Sequence, residues 1–492
     1  MNSNPLIPLL LLTGGALLIH GYHPWVEDAE IYLPGVEKIL HPELFPFGSE
    51  FFQQHAGVTL FPNFLALLVR ASRLPLEWVL FPVHLASVFL LLLACWDLSG
   101  KCFSNPSARW GGVTLLAALL TVPVAGTALY VMDQYVNPRN LSAFLLVFAI
   151  SKVLDRRYIA GALFLGLGAA MHPFMSVFAV FLCAVLVAMD HFGLANSAFA
   201  FWLPFGITFD RASPAYHAVA LSHSFHYLMR WRWYEWLGMI GPIAILWWFS
   251  RVAHSRRQAK LELLCRALIP YELVCAAAAL ILSIPARFEA LARIQPLRSL
   301  HLLYIVLILV GGGLLIEHVL RNHAWRWLVL FVPLSMGMWI PQRELFPASA
   351  HIEWPGLRPR NRWVQAFVWI REHTPVDARF ALDPFHMQAP GEDANGFRAI
   401  AQRSMLADAV KDSGAVTMFP AMAEEWQRQV RAQTGWKKFQ MPDFQRLRAE
   451  YRVNWLVLEQ PGVPGIRCLF QNQAVLVCPI PAPSPMQTAV IR

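Results

Sequence analysis

Apolar runs of bilayer length recur along this chain, separated by short basic or proline-containing connections. A membrane-crossing helix needs roughly 20 apolar residues, within a range of about 17 to 25. The runs at 5–20, 76–96, 111–131, 141–154, 158–171, 174–189, 196–209, 235–250, 264–285, 299–317 and 325–341 meet that description or fall a little short of it. The short runs between 141 and 209 are read as tilted, broken or re-entrant. Composition agrees: 57% of the 492 residues are hydrophobic and only 14% charged, against about 25% charged in an ordinary soluble domain. That leaves too little polar surface to coat a soluble particle, whereas lipid-facing positions need no charge. The fold class expected is a polytopic α-helical membrane protein of about eleven transmembrane helices, residues 1–341, followed by a C-terminal extracytoplasmic α/β domain, residues 342–492.

Charge placement supplies an orientation. The net charge is +9, but the basic residues fall in short loops between apolar runs. This favours topology signals and lipid headgroup contacts, with the bilayer as partner and no nucleic acid. Lys101–Arg109, Lys152–Arg157, Arg251–Lys260 and Arg321–Arg326 are basic and are assigned to the cytoplasm. Within the loop 21–75, the stretch Gly21–His55 carries Glu27, Asp28, Glu30, Glu37, Glu43 and Glu50 against one lysine, and the loop is assigned outside. The parity agrees only if 57–72 does not cross, so that segment is read as juxtamembrane or re-entrant. The first run lacks a basic leader and a small-residue cleavage site, so it reads as an uncleaved span with a cytoplasmic N-terminus.

After Pro341 the continuous apolar runs give way to amphipathic ones. The periodicity predicts helices at 363–373, 397–412, 420–434 and 442–451, strands at 378–383 and 454–459, and a hairpin of 466–471 with 474–479. The hairpin sets Cys468 and Cys478 symmetrically about Gln473, which in an oxidising compartment predicts a disulfide; two unpaired thiols are the alternative.

Five groups of residues carry candidate chemistry. Glu27 and Asp28 are adjacent acids where the chain leaves the first span, with Glu30 a third. A carboxylate at the mouth of a membrane cavity can take a proton from a hydroxyl or ligate a divalent cation; the plainer reading is a topology signal. Arg139, in DQYVNPRN, would either pair with Asp133 or face a phosphate. His172, beside Pro173 between two apolar runs, would bind a ligand or cap a broken helix. The basic loop Arg287–Arg298 falls outside by parity, against the charge bias. An anionic ligand held by Arg298, Arg293 and Arg287 would account for it, as would headgroup snorkelling. His223 and His226, near His217, have the spacing of a zinc pair lacking a third ligand; the neighbouring WRWYEW run reads more simply as an aromatic belt. There is no phosphate-cradling glycine loop, dinucleotide fingerprint, serine nucleophile elbow or metal-type cysteine spacing.

The layout resembles the GT-C glycosyltransferases, polyprenyl-phosphate-sugar-dependent membrane enzymes that include protein mannosyltransferases and aminoarabinose transferases. Glu27-Asp28 matches that family's acidic pair after the first span, and 37–72 matches its juxtamembrane segment. FVWIREHTPVDARFALDP (367–384) and FRAIAQRSMLADAVKDSG (397–414) resemble the tail of an uncharacterised bacterial branch. The resemblance implies a sugar transferred from a polyprenyl-phosphate carrier to an extracytoplasmic acceptor, at a bacterial inner membrane with a periplasmic tail. Asp28 would be the base or metal-facing acid, Glu27 its neighbour and Glu30 a further candidate. The arginines would hold the lipid phosphate, and a divalent metal ion is the one cofactor candidate. The alternative is a non-catalytic protein of the same fold: a lipid-carrier binder, a flippase-like transporter or an assembly partner.

Overall fold

The computed structural model describes residues 4–192, 212–283, 289, 291, 293–321 and 323–481. It divides into two compact units: Met1–Tyr22 with Leu80–Gln342, and His23–Val79 with Arg343–Arg492. The sequence had kept 21–75 with the membrane part; by contacts those residues group with the C-terminal part.

The first unit is helical. Among the described residues five helices are long and apolar enough to cross a membrane: Leu76–Cys102, Pro173–Phe192, Trp233–Ser255, Ala259–Leu282 and Pro296–Leu320. Leu6–His20 and Tyr158–Met171 are shorter apolar helices. Pro138–Leu154 carries the run at 141–154, and Ala324–Leu345, with internal Pro333 and Pro341, carries the run at 325–341. The run at 111–131 departs from expectation. It is helical only within Pro106–Ala118. Beyond it the chain folds back on itself, Val124 N donating to Leu129 O at 2.8 Å and Val131 N to Val122 O at 3.2 Å. This stretch is mostly buried in protein, where irregular backbone is tolerated at membrane depth. The run at 196–209 lies outside the described residues.

Small residues set the closest helix crossing. A Cβ on Gly112 would stand 2.3 Å from Leu309 O, and one on Gly312 would stand 2.7 Å from Gly111 O. Glycine is therefore what lets Pro106–Ala118 lie against Leu300–Leu315, the small-residue packing common between membrane helices.

Ion pairs among the basic connections gather at one end of this unit, and neutral polar contacts lie at the other. Asp155 takes Lys101 Nζ at 2.5 Å and Lys260 Nζ at 2.6 Å, Lys152 meets Asp97 at 2.8 Å, and Arg256 approaches Glu317 at 3.8 Å. Three basic loops thus gather at one end, and Arg256 of the third reaches Glu317, four residues before the fourth. At the other, His20 pairs with Thr121 at 2.8 Å, His301 Nε2 lies 2.9 Å from Val131 O, and Gln134 hydrogen-bonds Gln342.

The second unit is α/β. Strands β1 (Arg379–Ala381), β2 (Ser404–Met405), β3 (Trp455–Glu459), β4 (Phe470–Gln471) and β5 (Val475–Pro479) form one sheet in the order β2-β1-β3-β5-β4. β2, β1 and β3 are parallel; β5 and β4 form an antiparallel hairpin. The helix Arg362–His373 packs Phe367 with Phe380 and Phe397 in the core. Cys468 and Cys478 are disulfide-bonded across the hairpin.

The stretch predicted as one helix at 397–412 is instead a short helix Phe397–Ala401, strand β2 and the start of the helix Lys411–Met418. Gln402 adopts φ 52, which ends the first helix. Asp408 Oδ1 then accepts the Val410 and Lys411 amides at 2.7 and 2.5 Å, so its side chain takes donors that a continuous helix would use. From the first loop come the helices Ala29–Leu40, Glu50–Gly57 and Phe61–Ser72. The last has 12 residues, which rise about 18 Å and so fall short of the roughly 30 Å hydrocarbon core.

Candidate functional site

The acids of the first loop converge with cations of the C-terminal segment, all inside the second unit. Extended backbone at Trp25–Val26 pairs with 394–396: Val26 and Asn395 form an antiparallel bridge, Glu27 N donates to Ala394 O at 2.8 Å and Gly396 N to Trp25 O at 2.8 Å. The chain then turns sharply into the helix Ala29–Leu40. Glu27 makes the turn at φ 56, and Asp393 and Ala394 opposite it sit at φ 63 and 56. Left-handed backbone costs a non-glycine residue on the order of 1 kcal/mol, and such strain clusters at functional sites. The 393–395 turn is held in place: Asp393 Oδ2 accepts the Ala348 and Ser349 amides at 2.9 and 2.7 Å, and Glu392 Oε2 accepts the Asn395 amide at 2.9 Å.

Two ion-pair layers result. In the outer one, Lys411 Nζ donates to Glu27 Oε2 and, at 3.0 Å, to Asp28 Oδ1. The Lys411 side chain is 15% exposed, Glu27 45% and Asp28 30%, so the lysine approaches from the protein side and the acids keep an accessible face. Burial opposes its charge, but Asp28 and Glu27 outweigh that and hold its pKa above the ordinary lysine value. In the inner layer Arg398 Nη1 reaches Glu30 Oε1 at 3.2 Å and Asp412 Oδ1 at 2.9 Å, Nη2 reaches Asp412 Oδ2 at 2.7 Å, and Asp408 stands 3.8 Å away. One guanidinium thus serves three carboxylates, all buried. Burial pushes the Glu30 carboxyl up to about 8, with Arg398 pulling it down and Asp408 and Asp412 adding to the rise. Burial also raises Asp412, to about 6.

This geometry corrects the place given to Glu30. It is fully buried, and its second oxygen accepts the Ala399 amide at 3.1 Å. It therefore presents no surface to a substrate and serves to seat the loop. Glu27 and Asp28 remain the accessible pair. Lys411 and Arg398 were not anticipated. They are isolated cations in FRAIAQRSMLADAVKDSG, and nothing local marks their first-loop partners, Glu30 for Arg398 and Glu27 with Asp28 for Lys411, which precede them by 368 to 384 positions.

The other candidates belong to the first unit. Arg139 Nη2 bonds Asp133 Oδ2 at 2.5 Å, both side chains being buried, and Asn137 Nδ2 donates to the same oxygen at 2.6 Å. Arg139 is therefore part of a built ion pair. His172 ends the helix Tyr158–Met171, and its Nδ1 accepts the Met175 amide at 3.3 Å, the helix-capping alternative. Arg298 is half-buried and Arg293 exposed; Arg287 lies outside the described residues. The rings of His223 and His226 are 6.1 Å apart, and among the described residues no cluster of three or more His, Cys, Asp or Glu is placed to hold a metal. His217 Nδ1 instead lies 2.7 Å from Glu289 Oε1, which also accepts from Tyr227 Oη at 2.6 Å.

The chain is thus a mostly helical membrane protein with a small mixed sheet near its C-terminus and an accessible acid pair on its first long loop. No protein-family model matches it, and no curated protein sequence does. Among solved structures it is similar to the archaeal oligosaccharyltransferase AglB from Archaeoglobus fulgidus. In complex with an inhibitory peptide and a dolichol-phosphate, that protein aligns at 10% identity and a TM-score of 0.45, covering 92% of this chain and 69% of that one. Its apo form aligns at 11% identity with the same coverage and TM-score.

Proposed function

We propose that this chain is a GT-C-type membrane glycosyltransferase that moves a sugar from a polyprenyl-phosphate carrier to an extracytoplasmic acceptor. The observation that carries the reading is the Glu27–Asp28 pair: two accessible carboxylates, Glu27 on left-handed backbone, held from the protein side by a mostly buried lysine. In the reaction the acceptor hydroxyl attacks the anomeric carbon and gives its proton to Asp28. The new C–O bond forms as the bond to the carrier phosphate breaks, and the phosphate leaves with that electron pair. Glu27 keeps the local field negative beside Asp28. Preorganised positive charge would stabilise the departing phosphate, where it contributes most. A divalent cation finds no set of three ligands among the described residues, and Lys411 already faces both acids; the step above uses none. The gathering of basic loops at one end of the first unit supports a cytoplasmic placement of that end, with the C-terminal domain periplasmic.

One observation favours a second reading. The same acids anchor the first loop to the C-terminal segment through Lys411, beside Glu30 on Arg398, which is all a non-catalytic carrier-binding, transport or assembly protein would need of them. Asp28→Asn and Glu27→Gln decide between the two in a strain whose envelope glycans change when the gene is deleted. Loss of the glycan product with normal amounts of folded protein supports the enzyme; full product from both variants refutes it.

A further inference from the structure

We infer that Lys411 is a positioning residue for the acid pair, orienting Asp28 and keeping both carboxylates charged and ready to receive a proton. This rests on the glycosyl-transfer reading. Carboxylates on consecutive residues repel, and a single ammonium that bonds both fixes their separation and their aim. Lys411 is itself fixed. Its amide bonds Asp408 Oδ1 at 2.5 Å at the start of the helix Lys411–Met418, and its side chain is mostly buried.

Anchoring alone does not require this lysine. The loop is already seated by the Val26–Asn395 bridge and by Glu30 on Arg398. What Lys411 adds is charge at the pair. The charged groups around it come from several elements: Glu27, Asp28 and Glu30 from the loop and its helix, Glu392 and Asp393 from the facing turn, Arg398 from the short helix, and Asp408 and Asp412 flanking Lys411. Burial keeps Glu30 and Glu392 largely protonated, so what acts locally is the repulsion between the two adjacent carboxylates; without the ammonium that bonds both, that repulsion favours the protonated form of the pair.

The test reads protonation directly. A water-soluble carbodiimide with an amine nucleophile labels protonated carboxyls, and mass spectrometry of purified full-length protein gives the pH midpoint for labelling the peptide that contains Glu27 and Asp28. Lys411→Met is expected to move that midpoint up by about one unit or more, with Lys411→Arg restoring it. Lys411→Gln makes the same comparison if the methionine variant does not fold. Glycan product should fall tenfold or more in the methionine variant and recover in the arginine variant. An unshifted midpoint in a folded Lys411→Met or Lys411→Gln protein overturns the inference. A shifted midpoint with full product from Asp28→Asn instead refutes the transferase reading and leaves the effect of Lys411 on the pair standing.

Discussion

Arg398 and Glu30 are separated by 368 positions in the sequence and by 3.2 Å in space, and both side chains are buried. The pair ties the helix that follows the first span to the C-terminal α/β segment. Removing Arg398 also takes from the buried Asp412 carboxylate the guanidinium that bonds both its oxygens, and breaking a buried ion pair from one side costs roughly 3–5 kcal/mol. Arg398→Met should lower the thermal midpoint of the purified protein more than any surface arginine substitution, such as Arg428→Met. Equal midpoints for the two variants would show that the cluster is solvated and not structural.

The same cluster sets a pH dependence. Burial raises the Glu30 carboxyl from 4.5 to about 8, so between those values the folded state binds a proton that the unfolded chain has released. Stability from this group is therefore present below about pH 4.5 and is lost as pH rises toward 8. Thermal midpoints of the wild type should carry this downward component from pH 5 to 8, and Glu30→Gln, which mimics the protonated form, should flatten it. Identical slopes in the two proteins would rule the assignment out.

The apolar helices were legible because hydropathy reports directly on lipid, although among the described residues five are long and apolar enough to cross a membrane. The limit appears at 111–131: a buried, folded-back segment such as 119–131 is as apolar as a lipid-facing helix, and composition does not separate the two. In the α/β segment, the strands at Trp455–Glu459 and Val475–Pro479 were legible from alternation and flanking turn residues. The break at Gln402 was not, because it rests on a left-handed backbone conformation at that residue, which no periodicity marks. Glu27 and Asp28 stood out as adjacent acids in a loop. Their partner Lys411 did not, since pairing across more than 380 positions leaves no local signal.

The glycine crossing gives a test of packing in the first unit. A methyl on Gly112 would meet backbone oxygen, which has no rotamer to move away, whereas one on Gly166 meets nothing within 4 Å. Overpacking of this kind costs typically 1–3 kcal/mol. Gly112→Ala should lower the thermal midpoint in detergent and Gly166→Ala should not. Tolerance of both would mean that the two helices are not in the close contact described.

Arg139 poses the sharpest choice among the arginines, since a buried ion pair and a phosphate ligand predict opposite outcomes for the same double variant. If its main partner is Asp133, Arg139→Met alone leaves a buried carboxylate that only Asn137 helps to satisfy, and stability falls by roughly 3–5 kcal/mol. Removing both charges, as Asp133→Leu with Arg139→Met, relieves that penalty, because an apolar pair of similar size is often neutral in a buried site. The double variant should then be more stable than the single one, with a coupling energy on the order of 1–3 kcal/mol, and should bind farnesyl phosphate as the wild type does. Loss of farnesyl phosphate binding in the stable double variant would assign Arg139 to the lipid phosphate instead.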